Sequence, residues 1–268
     1  MAKLHTKEGF APLTAVVLAG VVGLVSSLLG HAQTVSQEIP IALDSGPGKV
    51  ALVELYTSEG CSSCPPADRW LSRLEEDPRL WREWVPVAFH VDYWNYLGWA
   101  DRFASPRHSN RQRHYAALDV LSSVYTPGFV VDGQEWRGFF RRADLPGRVR
   151  SEVGSLKVWG DRQHLEIAFA PSAPEGVGDL AVTVALLGFD LATEVTAGEN
   201  RRRTLHHDFV VLDTLAAALL PGARGDLRGR VALPEPWPAS ERYALAAWVS
   251  RWDDPRPVQA VGGWVAEP

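Results

Sequence analysis

Residues 56–71 read YTSEGCSSCPPADRWL and hold the chain's only two cysteines, Cys61 and Cys64. A mostly apolar run, VALVELY at 50–56, precedes them and two prolines follow. Such a run is compatible with a strand buried on both faces. Pro65 and Pro66 fit a helix only in its first turn, where no N–H is needed. Trp70, Leu71 and Leu74 recur at helical spacing, so a helix is predicted over 66–76. The pair therefore falls between a strand and the mouth of a helix. Unpaired N–H groups and the positive end of the dipole favour an anion there, which makes a thiol more readily a thiolate. A second thiol one turn on can resolve a mixed disulfide. By position Cys61 is the expected nucleophile and Cys64 the resolving thiol. The proline after Cys64 supplies no N–H, which weakens that stabilisation.

Two other uses of the pair stay open. A disulfide across so small a loop restricts the unfolded chain little, so a purely stabilising staple is poorly motivated. Two cysteines cannot make a four-thiolate zinc site, although histidines could complete a mixed one. Adjacent His206 and His207 in a strand would point to opposite faces. His108 and His114, six apart on a helix, miss the spacing that shares a face. Only His90 is placed to approach the thiols, and with Met1 the sole methionine no thioether can serve copper. A copper or zinc carrier is thus an alternative, as is a binding module without turnover. No cofactor is expected.

The order over 50–153 reads strand, helix, strand, helix, strand, strand, helix. WVPVAFHVDYW at 84–94 is the second strand. SPRHSNRQRHYAAL at 105–118 is a helix with Ser105 as cap and Pro106 at its first position. PGFVVDGQEWRG at 127–138 is a hairpin turning at Asp132-Gly133. RADLPGRVRSEV at 142–153 reads as a short basic helix. After Gly154 short alternating runs such as HLEIAFA and LAVTVALLG take over, which predicts an antiparallel β-sandwich. Only residues 212–220, LDTLAAALL, look helical there. The expected fold class is therefore α/β followed by a mostly antiparallel sandwich, with domains at 50–153 and 154–268 and a linker at 33–49.

VELY, CSSC, YTPGFVVDG and this element order resemble the thioredoxin-like superfamily in a minimal form. LYTSEGCSSCPPAD, FHVDYWNYLGWADRFASP, RQRHYA and GENRRRTLHHDFVV are similar, more narrowly, to a secreted bacterial thioredoxin-like family of uncharacterised function. The resemblance implies a cis peptide bond at Pro127 facing the cysteines, with Thr126 beside a groove for a substrate chain. It also implies a buried acid before the cysteines, matched by Glu54, which could equally sit at a solvated strand edge. The implied function is thiol–disulfide exchange with a protein or small-thiol partner.

His90, Asp92, Tyr93, Trp94, Tyr96 and Trp99 cluster at the C-terminal end of a predicted parallel strand, the end that ligand clefts in such sheets favour. Of these His90, Asp92 and Trp94 are candidate substrate contacts, although aromatics packing a long loop and Asp92 tying its backbone explain the cluster as well. Arginines at 137, 141, 142, 148 and 150 and at 201–203 read as solvated or ion-paired faces.

The first residues, MAKLHTK, are basic, and residues 10–29 carry no charge, reading as a signal peptide or a membrane anchor. Cleavage after Ala32 would leave Gln33 as terminus, and the formal charge would move from −5 to −6. Either way export is expected, to the periplasm or beyond, where disulfides persist. Mild acidity offers no general reason to bind nucleic acid or an anionic membrane, and membrane contact is expected only if the apolar segment is retained. Eleven tryptophans are explained by core and interface packing.

Overall fold

A computed structural model describes residues 41–147, 150–173 and 179–265. The apolar N-terminal segment and Arg148 lie outside the described residues. In chain order the elements are β1 (Ile41–Asp44), β2 (Ala51–Thr57), α1 (Pro65–Ser72), β3 (Trp84–His90), α2 (Pro106–Ala117), β4 (Gly128–Val131), β5 (Gln134–Glu135), β6 (Gly154–Gly160) and β7 (His164–Pro171). There follow β8 (Leu180–Phe189), β9 (Leu191–Val195), β10 (Arg203–His207), β11 (Val210–Ala218), β12 (Leu220–Pro221), β13 (Leu227–Ala232), β14 (Arg242–Arg251) and β15 (Gln259–Val265).

Local chemistry sets the first elements as expected. Ser105 caps α2 by accepting the Arg107 N–H at 3.2 Å, and Pro106 begins the helix. α1 passes into a 3-10 turn at Arg73–Glu76. Asp132 and Gly133 turn the β4–β5 hairpin with φ of 50° and 76°. Both values are left-handed, as the tightest hairpin turn demands.

An α/β domain ending near residue 153, followed by a separate sandwich, is not what forms. The largest sheet has eight strands in the order β15-β14-β8-β11-β3-β2-β4-β5. Strands from both halves of the chain share it because β11 pairs in parallel with β3, Val210 opposite Ala88. The Ala88 N–H donates to the Phe209 carbonyl at 2.8 Å. The architecture is thus mostly β, with two α-helices among the described residues, and no minimal thioredoxin-like domain stands apart.

The physical reason lies in β8 and β14. Val182, Val184 and Leu186 face one core with Leu245, Ala247 and Val249, under the second sheet, β1-β6-β7-β13-β12. Ala185, Leu187 and Phe189 point the other way, into the core of β2, β3, β4 and α1. Successive strand residues alternate faces, so a free sandwich would leave one face wet. Here both are dry. Phe189, Phe209, Phe89 and Trp248 are buried along this seam. Each such side chain contributes roughly 1.5–3 kcal/mol, more than a loosely docked domain supplies.

Three smaller expectations also change. Residues 212–220 are largely strand β11, because a place between β8 and β3 overrides alanine's helix preference. Residues 142–153 form no helix where described; the only helical turn nearby is Gly138–Arg141. The expected linker contains β1, whose residues pair with β6.

Candidate functional site

Cys61 and Cys64 are joined in a disulfide. Cys64 is the N-cap of α1, and its carbonyl accepts the Ala67 and Asp68 N–H groups at 2.8 and 3.1 Å. Pro65 and Pro66 occupy the next two positions, so two of the helix's free donors do not exist. The Ser63 hydroxyl lies 3.3 Å from the Cys61 sulfur and supplies one donor in their place. Both cysteines are buried, at 1% and 0% exposure, while Ser62 and Ser63 between them are exposed.

The Thr126–Pro127 bond is cis. Tyr56 pairs with Gly128, which sets Pro127 against the end of β2, where the cysteine turn departs. The Trp94 indole N–H donates to the Thr126 hydroxyl at 2.7 Å. Trp94 also closes on Gly60, where an added Cβ would come within 3.0 Å of the Trp94 Cβ. That close approach requires a glycine one residue before Cys61. Asp92 works further off: its N–H donates to the Ser109 hydroxyl, which in turn donates to the Asp92 carboxylate. It fastens the loop to α2, and Tyr96 at the loop's edge is 78% exposed.

Behind the turn lies a buried group of acids and histidines. Asp101 accepts the Glu59 N–H at 2.8 Å and lies 2.7 Å from His90 Nδ1 through the same oxygen. Its other oxygen accepts the Phe103 N–H. Glu59 accepts the Trp99 indole N–H at 2.8 Å, and its second oxygen is 3.4 Å from His207 Nε2. The Thr57 hydroxyl donates to Asp68, whose other oxygen is 3.9 Å from His207 Nδ1. The His90 and His207 rings meet edge to face with centroids 4.9 Å apart.

Burial alone pushes the His90 pKa down, but the charge and hydrogen bond of Asp101 outweigh it and the net shift is upward. Burial likewise pushes Asp101 up, and His90 more than reverses this to leave it lowered. The two make an ion pair. Asp68 is raised by burial, against the pull of His207 and His90. His108, whose Nδ1 lies 2.9 Å from the His90 carbonyl, is pushed down to about 4 by burial. Among the described residues no three His, Cys, Asp or Glu side chains are arranged to hold a metal ion.

Glu54 lies elsewhere. Leu55 pairs with Phe129, which meets Trp70 of α1, and Thr57 reaches Asp68, so odd residues of β2 face the cysteine helix. Glu54 points to the other face, where Arg111 of α2 grips both its oxygens at 2.7 and 3.0 Å. The Tyr56 and Tyr115 hydroxyls donate to it as well. It is neither solvated nor beside the sulfurs.

The structure therefore brings Cys61, Cys64, Thr126, Pro127, Trp94 and His90 to one place and leaves Glu54 and Asp92 out. Sequence reasoning missed Glu59, Asp68, Asp101, Asn200 and His207. Asp68 had a signal, since it follows Cys64 by four residues and so shares its helix face. His207 had half of one: His206 is exposed and His207 buried, opposite faces as expected. Of the arginines, Arg137 pairs with Glu135 and Arg201 and Arg202 are exposed.

Among solved structures the chain is similar to protein AGR_C_4864 of Agrobacterium tumefaciens, at 24% identity and a TM-score of 0.55, covering 82% of this chain and 96% of that one. It is also similar to HBP35 of Porphyromonas gingivalis, at 16% identity and a TM-score of 0.54, covering 82% and 77%. At such identities the likeness is one of fold alone. No curated protein matches the chain. The family described as "Protein of unknown function (DUF1223)" matches residues 52–250, and by that match over most of its length the chain belongs to the DUF1223 family.

Proposed function

We propose that the chain is an exported protein that performs thiol–disulfide exchange through Cys61 and Cys64. The observation that carries this reading is the disulfide at the mouth of α1, backed by a buried acid–histidine group. The strand–CxxC–helix unit and the later Thr-Pro resemble thioredoxin-like redox proteins. That likeness concerns local chemistry, not the fold.

In the first step a partner thiolate attacks the Cys61 sulfur, the Cys61–Cys64 bond breaks, and its electron pair leaves on Cys64, which takes up a proton. The partner's second thiol, deprotonated, then attacks the partner sulfur of the mixed disulfide, and Cys61 leaves as thiolate. Two electrons pass from a partner dithiol to the pair; of the dithiol's two protons one ends on Cys64 and one is released to solvent while Cys61 stays a thiolate, and the reverse sequence returns them. Asp68, one turn after Cys64 and raised in pKa by burial, supports the reading as a buried group able to hold a proton on the same helix.

The test is equilibration of the pair with glutathione, read by alkylation, together with Cys64→Ser. Reversible two-electron reduction and Cys61-dependent mixed disulfides with exported polypeptides are expected. A pair that never re-forms, or a variant that traps nothing, sinks the reading. The burial of both sulfurs favours one alternative, a binding module with a structural disulfide. That alternative predicts that Cys61→Ser/Cys64→Ser keeps partner capture intact.

A further inference from the structure

The β9–β10 hairpin runs out and back between β8 and β11 and forms a two-stranded sheet of its own. Its tip lands on the cysteine turn. Asn200 is fully buried, and its Nδ2 donates to the carbonyls of Glu59 and Cys61, each at 2.9 Å. Arg203 fixes the amide's orientation by donating to Oδ1 at 2.7 Å. Beside it, Glu199 accepts the Ser62 N–H at 2.9 Å. Two backbone carbonyls and one N–H of the turn thus receive a donor and an acceptor from side chains. A polypeptide backbone offers the same donor and acceptor groups.

We propose that this tip is a latch on the disulfide. In the closed state Glu199 and Asn200 occupy the backbone positions at Glu59, Cys61 and Ser62. When the tip lifts, an extended cysteine-bearing polypeptide takes those positions and reaches the Cys61 sulfur. This deepens the exchange reading and rests on it, by naming the partner's class and the group that controls entry. Gly198 and Arg202 flank the tip with left-handed φ of 72° and 68°, so the segment between them is set off by two sharp bends. The strands behind it stay seated through Leu191, Val195, Leu205 and His207, all buried. Opening is therefore local to the tip. A small thiol brings no backbone to replace the three lost hydrogen bonds, whereas a polypeptide does.

The test compares wild type with Asn200→Ala, reducing the oxidised pair with 2-mercaptoethanol or with a reduced, unfolded polypeptide at equal thiol concentration. Losing two ordinary hydrogen bonds corresponds to about a thirtyfold larger open population, so Asn200→Ala is expected to react about thirtyfold faster with 2-mercaptoethanol. Both proteins are expected to prefer the polypeptide, and the variant to be faster than wild type with either reductant by about the same factor. Rates within twofold of wild type overturn the latch. Should Asn200→Ala fail to fold, Glu199→Ala removes only a surface fastener. It is expected to quicken both the reaction and hydrogen exchange at the Ser62 amide, and no change in either overturns the latch. Equal polypeptide exchange in wild type and Asn200→Ala sinks the latch and leaves the exchange reading standing. Faster thiol reduction without any polypeptide exchange sinks the exchange reading and the partner class, while the tip's control of access stands.

Discussion

Glu54→Ala is expected to lower the unfolding free energy by about 3–5 kcal/mol, the usual consequence of breaking a buried ion pair from one side. The carboxylate is fully buried and accepts from Arg111, Tyr56 and Tyr115. Burial holds both phenols well above their ordinary pKa, so both remain O–H donors that need an acceptor. Removing it strips the Arg111 guanidinium of its counter-charge and the Tyr56 hydroxyl of its acceptor, while Tyr115 keeps the Pro255 carbonyl at 3.0 Å. A typical domain has only about 5–15 kcal/mol in hand, so the variant gives up roughly a fifth or more of its stability. Urea unfolding checks this, through a lower midpoint at unchanged slope. The double variant Glu54→Leu/Arg111→Met leaves no charge behind and is expected to recover much of the loss. Glu54→Gln decides whether the side chain transfers protons, as the resemblance implied. Per folded molecule its exchange rate should match wild type within about twofold, because the side chain sits across the sheet from the sulfurs. A large fall in rate with intact stability would restore Glu54 to the chemistry.

What is legible in the sequence, and what is hidden, follows from the range of the forces involved. The strand–CxxC–helix unit, the Ser105 cap and the Asp132-Gly133 turn depend on neighbours a few residues apart, and each forms as expected. The join between β3 and β11 depends on residues 88 and 210 meeting, and no local pattern marks it. The run at 180–189 comes closest to showing it. One apolar face is plain from its alternation, but the other face, with Ala181, Ala185 and Leu187, is also apolar, which marks a strand covered on both sides. The site divides the same way. Cys61, Cys64 and Pro127 carry their own spacing signals, whereas Asp101 and His207 reach His90 from a long loop and from the distant hairpin.

Asp101→Asn is expected to invert the dependence of stability on pH around the His90 pKa. In wild type the folded His90 pKa is raised and that of Asp101 lowered, by each other. A raised histidine contributes stability that is complete below its unfolded value, about 6.5, and is lost as pH climbs through the folded value. A lowered carboxylate contributes stability that is complete above its unfolded value, about 3.9, and is lost as pH falls through the folded one. The pair thus stabilises most between those limits. The amide that replaces the Asp101 carboxylate would keep its shape and lose its charge, leaving burial as the dominant influence on His90 and driving its pKa below the ordinary value. Stability tied to His90 would then be lost on acidification through about 6.5 instead of on alkalinisation above it. The slope from this one group reaches about 1.4 kcal/mol per pH unit at most. Near pH 6 the variant should also be destabilised by about 1–3 kcal/mol, since the buried imidazole has lost its charged partner and must shed its proton. The raised Asp68 carboxyl adds its own decline as pH rises from about 3.9 upward in both proteins, changed in the variant by the lost charges of Asp101 and His90. The measurement is the difference in unfolding free energy between wild type and variant from pH 5 to 9. A difference that stays flat across that range would mean that His90 is not charged in the native protein, and that a neutral imidazole makes the Asp101 contact through its Nδ1–H.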